Sequence, residues 1–216
     1  MADTLGILLM TGASLGLIHT LFGPDHYLPF IMMSRAGDWS MKKTSLVTIL
    51  CGFGHVMSSI VIGMIGIALG IAVSHLEIVE GFRGNLAAWA LIAFGLVYMI
   101  WGIRRAWKHK GHTHSHSHAD RKKTMTVWVL FTIFVLGPCE PLIPLLMYPA
   151  YESSLIGVIL VAVVFSVATI GTMLFMVIYL SLGLKRLRFE KLENWTHAMA
   201  GAVILVSGLG IQFLGL

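Results

Sequence analysis

His19-Thr-Leu-Phe-Gly-Pro-Asp25-His26 places two imidazoles and a carboxylate beside a Gly-Pro break, inside a segment that is otherwise apolar. All three groups bind metals. Titratable groups at membrane depth are costly enough that they face a cavity and mark an ion or substrate path. Two further segments carry related chemistry. His55 lies one helical turn after Cys51, with Ser58 and Ser59 following. Gly137-Pro138-Cys139-Glu140-Pro141 makes a second Gly-Pro break, this time with a thiol and a carboxylate. Imidazole with thiolate suits nickel, cobalt, zinc or copper, whereas magnesium and calcium call for oxygen ligands. The candidate metal ligands are therefore His19, Asp25, His26, His55, Cys139 and Glu140.

Spacing limits how these residues can cooperate. On a straight helix the Cα atoms of His19 and His26 would stand roughly 10 Å apart. Metal–nitrogen bonds are only about 2 Å long, so a shared ion needs the chain to bend at Gly23-Pro24. The irregular backbone is thus expected to be part of the site. Each residue also has a plainer reading. His19 can be a buried histidine bonded to a carbonyl, and Asp25 can cap the half-helix after Pro24 or orient His26 instead of binding metal. His55 is equally suited to bonding between helices. Cys139 and Glu140 are adjacent and diverge on a regular helix, so one of the two is expected to face the cavity.

The elements that must position these groups follow from composition. Of 216 residues, 57% are hydrophobic and 12% charged, and the mean hydropathy is +0.85. That balance indicates a polytopic membrane protein with almost no extramembrane domain. The net charge of +5 does not point to nucleic acid, because the charges sit in short connections between apolar blocks. The start Met-Ala-Asp-Thr shows no basic n-region and no small-residue cleavage site, so no removable signal peptide is expected. Cys51 and Cys139 both fall in apolar segments, where a buried thiol or a thiol ligand is expected ahead of a structural disulfide.

Apolar runs give six spans, at about 5–34, 44–74, 85–103, 125–150, 154–184 and 195–215. Their connections divide sharply in basic residues. Arg35, Lys42 and Lys43 lie in the first, Arg104, Arg105, Lys108, Lys110, Arg121, Lys122 and Lys123 in the third, and Lys185, Arg186, Arg188 and Lys191 in the fifth. Arg83 alone is assigned to the second. Positive charge stays inside, which places both termini outside and the odd connections in the cytoplasm of an inner-membrane protein. Some thirty residues of helix would reach ~45 Å, against about 30 Å of hydrocarbon. Breaks at the Gly-Pro pairs of spans 1 and 4 relieve the excess, since proline removes a backbone donor and interrupts the helix.

Gly23-Pro24-Asp25-His26-Tyr27-Leu28 aligns with Gly137-Pro138-Cys139-Glu140-Pro141-Leu142, 114 residues on. The same offset carries His55 onto Thr169, and a nearly equal one carries Phe94-Gly95-Leu96 onto Ser207-Gly208-Leu209. Three spans per half reverses the second half. The expected fold is therefore an all-α membrane protein of six transmembrane helices in two inverted three-helix repeats, with helices 1 and 4 broken at Gly-Pro. One transmembrane domain covers residues 1–216: repeat one at about 1–105, a histidine-rich cytoplasmic loop at about 106–123, and repeat two at about 124–216.

That loop carries His109, His112, His114, His116 and His118 in a stretch without an apolar face. The basic residues suffice to set topology, so the histidines point to an accessory role in metal capture or sensing. Such binding should fade as pH drops through about 6.5, because protonated imidazole cannot hold metal.

His19, Asp25 and His26 in the first span, with Gly54-His55 in the second, resemble the nickel/cobalt transporter family and its nickel-efflux and urease-accessory-type membrane relatives. The resemblance implies Ni2+ or Co2+ handling at His19, Asp25, His26 and His55. The Gly-Pro-Cys-Glu-Pro motif resembles the cysteine motifs of DsbD-type transmembrane electron carriers, in the same wider superfamily as lysine exporters. Those carriers use one cysteine in each half, whereas the first-half counterpart of Cys139 here is Asp25. The expected function is transport of a divalent transition metal, with Ni2+ or Co2+ favoured and Zn2+ also suited. Import and export are equally compatible with it. The alternative is a thiol–disulfide electron carrier using Cys139. The main reading is of a carrier and not an enzyme, with no cofactor besides the transported metal. Its expected partners are the lipid bilayer and the metal ion; a homo-oligomer is compatible, and nucleic acid is not expected.

Overall fold

The computed structural model describes residues 2–108, 119–151, 154–186 and 194–215. Among them there is no strand. The helices are α1 (Ala2–Phe22), α2 (Leu28–Ala36), α3 (Met41–Ala68), α4 (Val73–Lys108), α5 (Ala119–Leu136), α6 (Leu142–Tyr151), α7 (Leu155–Arg186) and α8 (Thr196–Leu214), with one 3-10 turn at Pro24–His26. Five of them (α1, α3, α4, α7 and α8) hold stretches long and apolar enough to cross a bilayer, while Thr126–Leu136 and Leu142–Tyr151 are shorter apolar helices. Large apolar side chains such as Met10, Val97, Phe175 and Phe213 are exposed. In water such surfaces would drive association; against acyl chains they are matched. The chain is a membrane protein.

Both Gly-Pro pairs interrupt their helices. Gly23 closes α1 with a hydrogen bond from its N–H to the His19 carbonyl (3.0 Å), and the 3-10 turn then carries the chain into α2. Gly137 likewise bonds to the Ile133 carbonyl (2.9 Å), and α6 restarts after the Leu142 N–H meets the Cys139 carbonyl (2.9 Å). The missing proline donors explain where each helix stops.

The third span differs from the sequence expectation. It begins at Val73, not near 85, and only residues 69–72 connect it to α3. Arg83 therefore lies within a helix, not in a connection. Glu77, Glu80 and Arg83 lower the local hydropathy, but Glu80 and Arg83 stand at i,i+3 and pair with each other. A paired charge can continue a helix at a depth where a lone one could not.

Side-chain meetings fix the directions of neighbouring helices. α4 and α8 cross closely and run antiparallel: Gly95 meets Gly201 and Leu205, Gly102 meets Ala198, and Gly208 meets Ile92. Small residues let the two backbones approach in this way. α1 runs parallel to α7, with Gly12 facing Val161 and Gly16 facing Phe165 and Thr169. α3 runs parallel to α5 and α6, since His55 meets Phe134, Ser59 meets Cys139 and Gly63 faces Ile143. Two apolar cores result. One gathers Phe30, Met33, Cys51, Ile133, Phe134 and Met173, and the other Val56, Cys139, Leu142, Val161 and Phe165.

Candidate metal centre

The first break folds the chain so that His19, at the end of α1, and His26, in the 3-10 turn, face each other. Their ring centroids are 4.7 Å apart, and the His55 ring from α3 stands 5.1 Å from that of His26. One ring nitrogen from each of the three lies within 4.8 Å of the other two. The bend at Gly23 thus brings together two imidazoles that a straight helix would hold apart. Extended backbone at Gly23 (φ −88°, ψ 92°) makes the turn.

The hydrogen bonds determine which nitrogens face inward. Nδ1 of His26 lies 3.1 Å from both the Gly23 carbonyl and Asp25 Oδ1. Nδ1 of His55 lies 3.2 Å from the Phe134 carbonyl. Those partners are acceptors, so each Nδ1 carries the proton and a neutral ring presents a bare Nε2. The Nε2 atoms of His19, His26 and His55 are all buried without a hydrogen-bond partner. Three orphaned imidazole nitrogens at one point are costly in a fold that has no ligand for them. Two nitrogens on one ion at about 2.1 Å cannot be more than about 4.2 Å apart, so from a spread of up to 4.8 Å side-chain torsions need to close the set by at least about 0.6 Å.

Asp25 reaches the cluster through His26, in the arrangement by which a carboxylate orients a metal-binding imidazole. The other predicted ligands stand elsewhere. Glu140 is exposed to a cavity of about 710 Å3 that His19, Asp25, His26 and His55 also line. Cys139 is fully buried in the second core, and its N–H donates to Ser59 Oγ (3.2 Å) and Glu80 Oε2 (3.1 Å). Cys51 and Cys139 are both free thiols. Cys139 sits beside Ser59, two helical turns or about 12 Å along α3 from Cys51, well beyond the roughly 7 Å limit for a disulfide. His109, His112, His114, His116 and His118 lie outside the described residues.

The cavity runs from the three histidines along the start of α4, through Asn85, Gly84 and Gly81, and along the end of α8 at Ile211 and Gln212. Phe134 also lines the cavity, and behind it the buried Phe30 ring lies with its centroid 4.6 Å from that of Phe134, the two planes tilted by 51°. Glu80, Arg83 and Ser59 brace the second break; the sequence singled out Ser59 only as a neighbour of His55, put Arg83 in a connection and left Glu80 unassigned. The available signal was the i,i+3 pairing of opposite charges beside Gly81 and Gly84 in an apolar flank.

Residues 27–209 match the family model described as cytochrome c biogenesis protein transmembrane region. His55, Cys139 and Glu140 fall inside that stretch, while His19, Asp25 and His26 precede it. No curated protein and no solved structure matches the chain.

Proposed function

The chain belongs to the family described as the cytochrome c biogenesis protein transmembrane region, and within that membrane family we propose that it moves a divalent transition metal across the bilayer. Nickel or cobalt is favoured over zinc, in keeping with the nickel/cobalt transporter resemblance. The observation that carries this reading is the cluster of His19, His26 and His55: one ring nitrogen from each lies within 4.8 Å of the other two, and all three Nε2 atoms are buried without a hydrogen-bond partner. Neutral imidazoles suit such ions, and a fourth position stays open toward the cavity for water or a passing carboxylate such as Glu140.

We further propose six spans in two inverted repeats, about 1–105 and 124–216, joined by the histidine-rich loop. The supporting pattern lies in the helix partners. Exchanging the halves swaps α1–α2 with α5–α6, α3 with α7, and α4 with α8. The pairing α1 with α7 then becomes α5–α6 with α3, which is also present and also parallel. In this arrangement the metal comes along the cavity, exchanges water for the three imidazoles, and is blocked from the other side by Phe30 and Phe134. Rocking of the halves would part those rings. Location in the inner membrane, with the histidine-rich loop cytoplasmic, belongs to the same proposal.

The family's description by itself favours a second reading, a thiol–disulfide electron carrier working through Cys139. Against it stand the burial of Cys139 and the distance from Ser59 to Cys51. Metal flux in proteoliposomes decides between them, with nickel, cobalt, zinc and copper tested on wild type, His19→Ala and Asp25→Ala. Transport is expected in wild type and should be lost in both variants. Folded wild type that moves no metal, together with a mixed disulfide trapped at Cys139, would replace this reading by the second.

A further inference from the structure

Arg83 is deep in α4 and makes more polar contacts than any residue of the three-histidine centre. Its Nη1 pairs with Glu80 and approaches Ser59 Oγ (3.4 Å). Its Nη2 donates to Ser58 Oγ (2.6 Å), to the Val135 carbonyl (2.7 Å) and to the Gly137 carbonyl (3.3 Å). Glu80, 1% exposed, accepts in turn from Ser59 Oγ (2.9 Å) and from the Cys139 N–H (3.1 Å). The carbonyls of 135 and 137 are those left without helical partners where α5 stops at the second break. One guanidinium therefore closes the end of α5, and its carboxylate partner holds the restart of the chain.

The same network reaches His55 from two directions. Ser58, which accepts from Arg83, donates its hydroxyl to the His55 carbonyl (2.7 Å). The Phe134 carbonyl, one residue before the one Arg83 holds, accepts the His55 Nδ1–H (3.2 Å). Gly137, whose carbonyl Arg83 also holds, packs so closely that a Cβ there would lie 3.2 Å from His55 Nδ1. The turn carrying His55 and the turn receiving its proton are thus tied to one side chain. An ionisable pair inside a span is retained for function far more often than for stability, since burial of both charges roughly cancels their attraction.

We propose that Arg83, held by Glu80, is a positioning residue for the centre: by locking the α3 and α5 turns on either side of His55, it keeps Nδ1 protonated on Phe134 and Nε2 bare toward the histidine cluster. For its consequence in transport this rests on the metal-carrier reading; the tautomer it enforces does not. Lysine cannot substitute, because one ammonium on a flexible stem cannot span Glu80, Ser58 and two carbonyls at once.

The test uses the full chain in detergent, as wild type, Arg83→Lys, and the charge-neutral double variant Glu80→Gln/Arg83→Gln. Ring 15N shifts of His55 are read in metal-free protein at alkaline pH, where neutral tautomers are resolved. Wild type should show the Nδ1–H form alone, and both variants a mixture of the two tautomers. Affinity for Ni2+ added as the simple salt, measured by titration calorimetry, should fall about 10- to 100-fold, the range seen when the support of a metal-binding histidine is removed. An unchanged single tautomer in either folded variant overturns the proposal, and so does failure of both variants to fold, which would make the network purely structural. Wild type that binds no Ni2+ would remove the metal-carrier reading and leave the tautomer comparison to decide this one.

Discussion

Gly23 lacks a side chain at a place where the centre has no room for one. A Cβ built there would lie 2.5 Å from His26 Nδ1 and 2.9 Å from Asp25 Oδ1. Both are side-chain atoms, so alanine at 23 would push the Asp25–His26 pair aside and leave the backbone standing. Gly23→Ala should therefore keep the thermal stability of wild type while Ni2+ affinity falls by about tenfold or more, as it does when the group orienting a liganding histidine is lost. Equal affinity, with the variant folded, would mean that His26 takes no part in binding. Much of this centre is legible from residue types alone: His19, Asp25, His26 and His55 stand out because hydrocarbon gives them no other partner. Glu80 and Arg83 do not stand out, because they satisfy each other and the ends of two broken helices. A hydropathy scan scores their charge and misses their pairing, so it ends the span at the point where the bracing begins.

At the scale of elements, glycine spacing determines how α4 and α8 meet. Gly95-x6-Gly102 on one helix and Gly201-x6-Gly208 on the other place bare backbone against bare backbone. A Cβ at Gly201 would lie 2.2 Å from the Met99 amide nitrogen and 2.8 Å from the Gly95 carbonyl oxygen. Neither atom can rotate away, so the helices would have to separate along their length. Gly201→Ala should cost about 1–3 kcal/mol, the usual penalty for overfilling a tight contact, and should lower the detergent melting temperature. Gly171→Ala on α7 is the control, since no atom lies within 4 Å of its Cβ position and alanine is the better helix former. Equal melting of the two variants would remove the close crossing. The alignment of Phe94-Gly95-Leu96 with Ser207-Gly208-Leu209 flagged these glycines in the sequence. It could not tell that the two copies face each other, because that depends on the reversal of the second half and not on local pattern. The breaks at Gly23-Pro24 and Gly137-Pro138 were legible for the opposite reason: a missing proline donor is a local fact.

For the whole molecule, the asymmetry of the histidine centre yields an accessibility prediction. The cavity reaches from His19 and His55 to Asn85 on α4 and to Gln212 near the end of α8. Ile133 and Phe134 form the inner end of that cavity, and with Phe30 and Met33 they belong to a continuous buried core. On the proposed transport reading, this conformation would offer the centre to a single face of the membrane, as alternating access requires. Both native thiols are 0% exposed, so single added cysteines can be read against a low background. Gln212→Cys and Asn85→Cys should react with a membrane-impermeant thiol reagent added from the face opposite the basic connections, and Phe30→Cys from neither face. Under the positive-inside rule that reactive face is the outer one, so sealed right-side-out vesicles should label and inverted ones should not. Labelling of Gln212→Cys from the basic face alone would invert the molecule in the membrane. Labelling of Phe30→Cys from that face would show that the Phe30–Phe134 contact does not seal the path. Ions would then cross without waiting for the halves to rock, and the protein would behave as a channel.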